Sequence, residues 1–191
     1  MIDDQNHKLV IAISSRALFD LDKSHQIFKK EGIEAYAKHQ QENEDVVLEP
    51  GVGFTLVKKL LALSSDKTPI DVILLSRNSA DTGLRIFNSI EHYGLNISRA
   101  AFTRGSSTHS FVGAFKADLF LSSNYHDVQK ALQAGFAAAS IVESKLDNIH
   151  PIQLRIAFDG DAVIFSDESE KIFHEQGLEA FQKNEIKSAK T

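Results

Sequence analysis

Two carboxylates one residue apart, Asp159-Gly160-Asp161, follow directly on the apolar run QLRIAF (153–158). Carboxylates at the end of a buried strand are costly unless they are paired or used. The glycine between them lets the backbone bend and lets a ligand approach closely. One carboxylate can attack a phosphorus atom and form an aspartyl-phosphate. The other can protonate the leaving oxygen and then activate water. A Mg²⁺ ion would offset the repulsion between carboxylate and phosphate. The same residues also read as an acidic turn capping a strand, and the spacing alone does not choose.

The surroundings of this pair occur twice. Residues 11–36 (IAISSRALFDLDKSHQIFKKEGIEAY) and 156–181 (IAFDGDAVIFSDESEKIFHEQGLEAF) align without a gap at an offset of 145, with ten of 26 positions identical. Repeats of this kind point to duplication and change the expected fold. In the earlier copy Ser14, Ser15 and Arg16 stand where Asp159, Gly160 and Asp161 stand in the later one. A hydroxyl and a guanidinium cannot form an aspartyl-phosphate or replace carboxylates at a metal. Arg16 can still bind a phosphate through paired N–H groups, or form an ordinary salt bridge.

The elements that must position these residues alternate. Apolar runs at 8–14, 70–76, 97–102, 117–122, 137–142 and 153–158 lack strict polar alternation, as strands covered on both faces do. Between them, helical spacing recurs at Ile27, Phe28, Ile33 and Tyr36, at Val57 to Leu63, at Leu84 to Ile90 and at Val128 to Leu132. Asn124 or Asp127 is placed to cap the last of these helices. Alternation of this kind predicts an α/β fold with a doubly wound, mostly parallel sheet. Ligands then sit beyond the carboxyl ends of the strands, which singles out Ser14–Arg16, Ser76–Asn78, Thr103–Gly105, Ser122–Asn124 and Asp159–Asp161. The polar loop Thr103–Thr108 could cradle a phosphate through its N–H groups and Arg104, or be plain surface.

Composition narrows the classes. The 191 residues are 42% hydrophobic, enough for a core, and carry a net charge of −5. That balance argues against nucleic-acid binding. The absence of cysteine removes disulfides, thiol nucleophiles and zinc-thiolate sites. The N-terminus MIDDQNHK lacks the apolar core of a signal peptide, and no apolar stretch is long enough to span a bilayer, so a cytoplasmic protein is expected. Gly51-Val52-Gly53 lacks the third glycine of a dinucleotide fingerprint, and His174-Glu175 lacks the second histidine of a zinc-protease helix.

The stretches FDGDAVIFSDESEKIF (158–173), ISSRALFDLD (13–22) and LLSRNSADTGLRIFNSIEHYGL (74–95) resemble the cytosolic type I 5′-nucleotidase family, which is related to the haloacid dehalogenase superfamily of phosphohydrolases. The resemblance runs from about Lys8 to about Gln182. It implies a haloacid dehalogenase-like (Rossmann-like) fold and Mg²⁺-dependent hydrolysis of nucleoside 5′-monophosphates. It further implies Asp159 as nucleophile and Asp161 as general acid/base, both at the metal. The superfamily also needs a hydroxyl after its second strand, a lysine before its fourth and acidic residues after that strand. In the first copy Ser76 matches the hydroxyl. Thr108 and Lys116 are poor counterparts of the lysine, and Ser122 and Ser123 stand where the acids belong. Two segments are therefore expected: a complete but degenerate unit over 1–148, and over 149–191 the opening strand and helix of a catalytic repeat. On this reading the chain is shortened by roughly 100–150 residues, the size of half a domain. Phosphate contacts are expected from Ser76, Arg16 and Arg104. The alternative is a non-catalytic family member that binds a nucleotide, a phosphate or a partner chain. An unpaired opening strand would also allow a homo-oligomer formed by strand or domain exchange.

Overall fold

The computed structural model describes residues 8–142, 153–158 and 167–188. Five strands, β1 (Leu9–Ser14), β2 (Ile70–Ser76), β3 (Arg99–Phe102), β4 (Leu119–Ser122) and β5 (Ala138–Ser140), form one all-parallel sheet in the order β3-β2-β1-β4-β5. Ile13 of β1 is paired with Leu74 of β2 on one side and with Leu121 of β4 on the other. The central strands are written almost wholly in branched apolar residues because both faces are covered. Ile11, Ala12 and Ile13 are at most 2% exposed, and Val72 to Leu75 are fully buried. Each such Ile or Leu contributes about 1.5–3 kcal/mol by leaving water.

Helices make the crossovers: α1 (Ser15–Leu18), α2 (Asp22–Glu42), α3 (Phe54–Leu63), α4 (Leu84–His92), α5 (Ser110–Ala114) and α6 (Tyr125–Gln133). Val10, Ala12, Ile73 and Leu75 pack with Phe120, Val112 and Ala131 on one face of the sheet. Their sequence neighbours Ile11, Ile13, Val72 and Leu74 alternate to the other face, as strand geometry requires. Asn124 caps α6, its Oδ1 accepting from the N–H of His126 at 3.0 Å.

The connection after α2 is held from one face of α4. Arg85 Nε donates to the carbonyl of Val46 at 2.8 Å, and Asn88 Nδ2 donates to that of Glu44 at 3.0 Å. Ser89 Oγ accepts from the N–H of Leu48, whose carbonyl accepts from the Tyr93 hydroxyl, both at 3.0 Å. Residues three or four apart share a helix face, so one stripe of α4 together with its C-cap residue Tyr93 satisfies four backbone groups of this connection.

The chain divides into two compact units, Met1–Gln153 and Leu154–Thr191. In the second, α7 (Glu168–Gln176) and α8 (Leu178–Ser188) form a helical hairpin. One expectation is corrected here. Residues 153–158 were expected to form a strand, but among the described residues they have no strand structure, and Ile156 and Phe158 are 65% and 68% exposed. An apolar run becomes a strand only where a ladder can take up its backbone groups. Beyond residue 158 the described part of the second unit holds helices alone.

The helical part of the repeat recurs in detail. Gly32 (φ 86°, ψ −172°) kinks α2, and Gly177 (φ 80°, ψ −178°) separates α7 from α8. Phe28 and Tyr36 meet edge to face across the first kink, with centroids 6.1 Å apart, and Phe173 and Phe181 do so across the second at 6.0 Å. Ser24 Oγ donates to Gln40 Oε1 at 3.2 Å, and Ser169 Oγ donates to Glu185 Oε1. Every one of these residues lies 145 positions from its counterpart.

Candidate functional site

The loops that leave the carboxyl ends of β1, β2, β3 and β4 open on one cavity of about 760 Å³. Each loop contributes a polar residue: Arg16 after β1, Arg77 and Asn78 after β2, Arg104 after β3 and Asn124 after β4. This is the topological switch of the sheet, where chain order reverses about β1 and β4 and a crevice opens. A further part of the wall comes from α2, whose kink presents His25 and Phe28 before Gly32 and Tyr36 after it.

The three guanidinium groups are held differently. Arg77 grips Asp127 with two donors, Nε at 3.1 Å from Oδ2 and Nη2 on Oδ1. Asp127 is 3% exposed and also accepts from Ser107 Oγ at 2.9 Å, which in turn lies 2.9 Å from His109 Nδ1. Arg77 is thereby fixed in direction. Arg16 pairs with Asp22 at 2.9 Å, where both side chains face solvent, so the pair is weak and exchangeable. Arg104 has no carboxylate within ion-pair distance among the described residues, and its backbone is left-handed at φ 49°. Three backbone hydrogen bonds impose that conformation: the N–H groups of Thr103, Arg104 and Gly105 donate to the carbonyls of Ser76, Asn78 and Arg77 at 2.9, 3.1 and 2.6 Å. A left-handed non-glycine residue is uncommon and marks a place where the surroundings override the local preference.

The aromatic wall is close to neutral. His25 stacks on Phe28 with centroids 6.2 Å apart. Burial and the nearby Arg16 and Lys29 charges hold its pKa below the ordinary histidine value. Burial pushes the Tyr36 hydroxyl up, so it stays protonated. The Asn78 amide lies beside that hydroxyl, and its buried nitrogen meets no acceptor in hydrogen-bond geometry among the described residues.

The residues singled out from the sequence are therefore distributed unevenly. Arg16 and Arg104 line the cavity. Ser76 ends β2 but is fully buried; its Oγ lies 2.9 Å from Ser15 Oγ and accepts from the N–H of Asn78. It does not line the cavity and instead braces the two loops beneath the arginines. Thr108 is 1% exposed, and Lys116 is exposed in a left-handed conformation (φ 51°) after α5. Asp159 and Asp161 lie outside the described residues. Arg77 falls within the strand end Ser76–Asn78 singled out from the sequence, but its pairing with Asp127, expected only as a helix cap, was not foreseen.

A divalent cation does not fit this first-unit cavity. The positions at the strand ends hold Ser14, Arg16, Ser76 and Ser122 in place of carboxylates. Asp127 is committed to Arg77, and no cluster of three or more His, Asp or Glu gathers among the described residues. No helix among the described residues is long and apolar enough to cross a membrane.

A model of the 5′-nucleotidase family matches residues 1–191. The chain is 38% identical over 182 residues to cytosolic 5′-nucleotidase 1B of Homo sapiens; the match covers 91% of this chain and 30% of that protein's length. No solved structure matches the chain significantly. With a five-stranded parallel sheet of the expected kind and a family match from end to end, the chain belongs to the 5′-nucleotidase family.

Proposed function

We propose that the protein serves in the hydrolysis of nucleoside 5′-monophosphates to nucleoside and phosphate. The observation that carries this reading is the sequence Asp159-Gly160-Asp161 in a chain matched along its whole length by the family model. Asp159 attacks phosphorus and expels the nucleoside 5′-oxygen, which takes the proton held by Asp161. Asp161 then removes a proton from water, and the attack of that water on the aspartyl-phosphate returns the free carboxylate. The two carboxylates are hard oxygen donors of the kind Mg²⁺ takes, and the ion would supply charge compensation for the phosphate oxygens. Ser14 and Arg16 stand at the matching positions of the first unit, so that unit has no group for either step. The curated relative is named as cytosolic, which supports a cytoplasmic location for this chain too.

The test is phosphate release from AMP and IMP with excess Mg²⁺, by this chain and by the same chain carried to the length of its curated relative. Asp159→Asn should abolish whatever turnover either shows; turnover that survives it refutes the assignment. The apolar run at 153–158, with Ile156 and Phe158 exposed, makes strand exchange with a second copy the assembly to look for. Light scattering on eluting protein reads it directly, and a strict monomer at all concentrations rules it out.

A further inference from the structure

The first unit's cavity joins two features that the hydrolytic reading leaves unused: guanidinium groups from three loops and an aromatic wall. Arg16, Arg77 and Arg104 come from three different loops, and Glu34 is the only acidic side chain lining the cavity among the described residues; Arg77 is paired with Asp127 and Arg16 with Asp22, which leaves Arg104 as the guanidinium with no carboxylate within ion-pair distance among the described residues. Arginine matches phosphate oxygens with paired donors, and a planar ring gains by stacking on aromatic faces. Phe28, 45% exposed, lies beside His25 and Tyr36, so an aromatic surface lines the same cavity as the arginines. The volume is in the range of small-ligand sites. Asn78 adds a buried donor without an acceptor in hydrogen-bond geometry.

We infer that this cavity is a second, non-hydrolytic binding site for a phosphate monoester carrying a flat ring, the chemical class of the nucleoside monophosphates. Arg104 and Arg77 hold the phosphate, Arg16 leaves Asp22 to join them, and Phe28 and Tyr36 cover the ring. The bound ester is not turned over, because no carboxylate stands at the end of β1 to attack it and no carboxylate cluster holds a metal. The site is independent of Asp159 and Asp161 and does not rest on their assignment.

The experiment is calorimetric titration of AMP into the 191-residue chain carrying Asp159→Asn and Asp161→Asn, in excess EDTA, with adenosine and inorganic phosphate as separate probes. AMP should bind at least tenfold more tightly than either fragment and be recovered intact. Arg104→Gly removes the guanidinium while suiting the left-handed backbone, so it should weaken AMP at least tenfold with the melting temperature unchanged or raised. Phe28→Ala should weaken AMP and leave inorganic phosphate unchanged, a split that general misfolding would not give. The inference falls if AMP fails to bind the double variant, if Arg104→Gly leaves its affinity unchanged, or if adenosine binds as tightly as AMP. Failure here leaves the Asp159 assignment standing, and loss of that assignment leaves this site standing.

Discussion

Arg85 shows how a single side chain can organise the ground under a site. It is 9% exposed, has no carboxylate within ion-pair distance among the described residues, and is held by the Val46 carbonyl and by Gln40 Oε1 at 3.2 Å. Burial lowers its pKa, a sign that its charge is kept at some cost. Gln40 also accepts from Ser24 and donates to the Tyr36 hydroxyl, so the guanidinium reaches the cavity wall through two hydrogen bonds. Hydrogen bonds to charged groups contribute about 1.5–3 kcal/mol each. Arg85→Ala should therefore lower unfolding stability by ~2 kcal/mol, seen as a urea midpoint reduced by ~1 M at the slopes usual for small proteins. Arg85→Lys should not rescue it, because one ammonium cannot span both acceptors in the guanidinium's plane. An unchanged midpoint in either variant would show that the pair of bonds is dispensable. Nothing in the sequence marks Arg85, since its partners lie 39 and 45 residues away and only the fold brings them together. The pairing of Arg77 with Asp127 escapes sequence reasoning for the same reason, at a separation of 50. Arg16, Arg77 and Arg104 were legible as strand-end residues because they closely follow strands, where a parallel sheet presents its loops.

At the scale of elements, the strands of the first unit are readable because burial on both faces leaves uninterrupted apolar runs with helical patterns between them. The same reasoning fails at 153–158, where an apolar run is present and no described neighbour completes a ladder. Pattern reports what a segment prefers and is silent on whether a partner exists. The hairpin geometry within the repeat was also hidden. Shared glycines at 32 and 177 were visible, but their backbone angles were not. Both occupy a region, φ near +80° with ψ near 180°, that is essentially reserved for glycine. A Cβ at either position meets nothing within 4 Å, so alanine would be penalised by backbone conformation alone. Gly32→Ala should cost about 1–3 kcal/mol. Because Phe28 and Tyr36 lie on opposite sides of the kink, it should also weaken the edge-to-face contact between them. Thermal unfolding checks the first effect and AMP titration the second. A variant that melts normally and binds normally would mean that the kink plays no part in shaping the cavity.

The whole molecule is asymmetric in where its stability resides. The buried apolar residues of the described chain belong to the first unit, from Val10 to Ala131, whereas α7 and α8 bury no residue. Helices of nine and 11 residues are marginal in water without a surface to pack on, because nucleation is costly and few bonds repay it. What the second hairpin does have is local: the Phe173–Phe181 contact, the Ser169–Glu185 hydrogen bond and the i,i+4 pair Lys171–Asp167 at 2.9 Å. The last is fully exposed and adds little. A fragment of residues 1–153 should consequently melt cooperatively within a few degrees of the full chain, since truncation removes no core residue among those described. A peptide of residues 154–191 should be mostly unfolded on its own and show weak helical circular dichroism that fades gradually on heating. If the non-hydrolytic site belongs to the first unit, the same fragment should also retain the AMP affinity of the full chain, because every residue lining the cavity lies between Arg16 and Asn124. Calorimetric melting of the fragment and AMP titration into it measure the two properties separately. A fragment that fails to fold would show that residues 154–191 contribute to the core of the first unit. One that folds without binding would place the nucleotide contacts beyond residue 153.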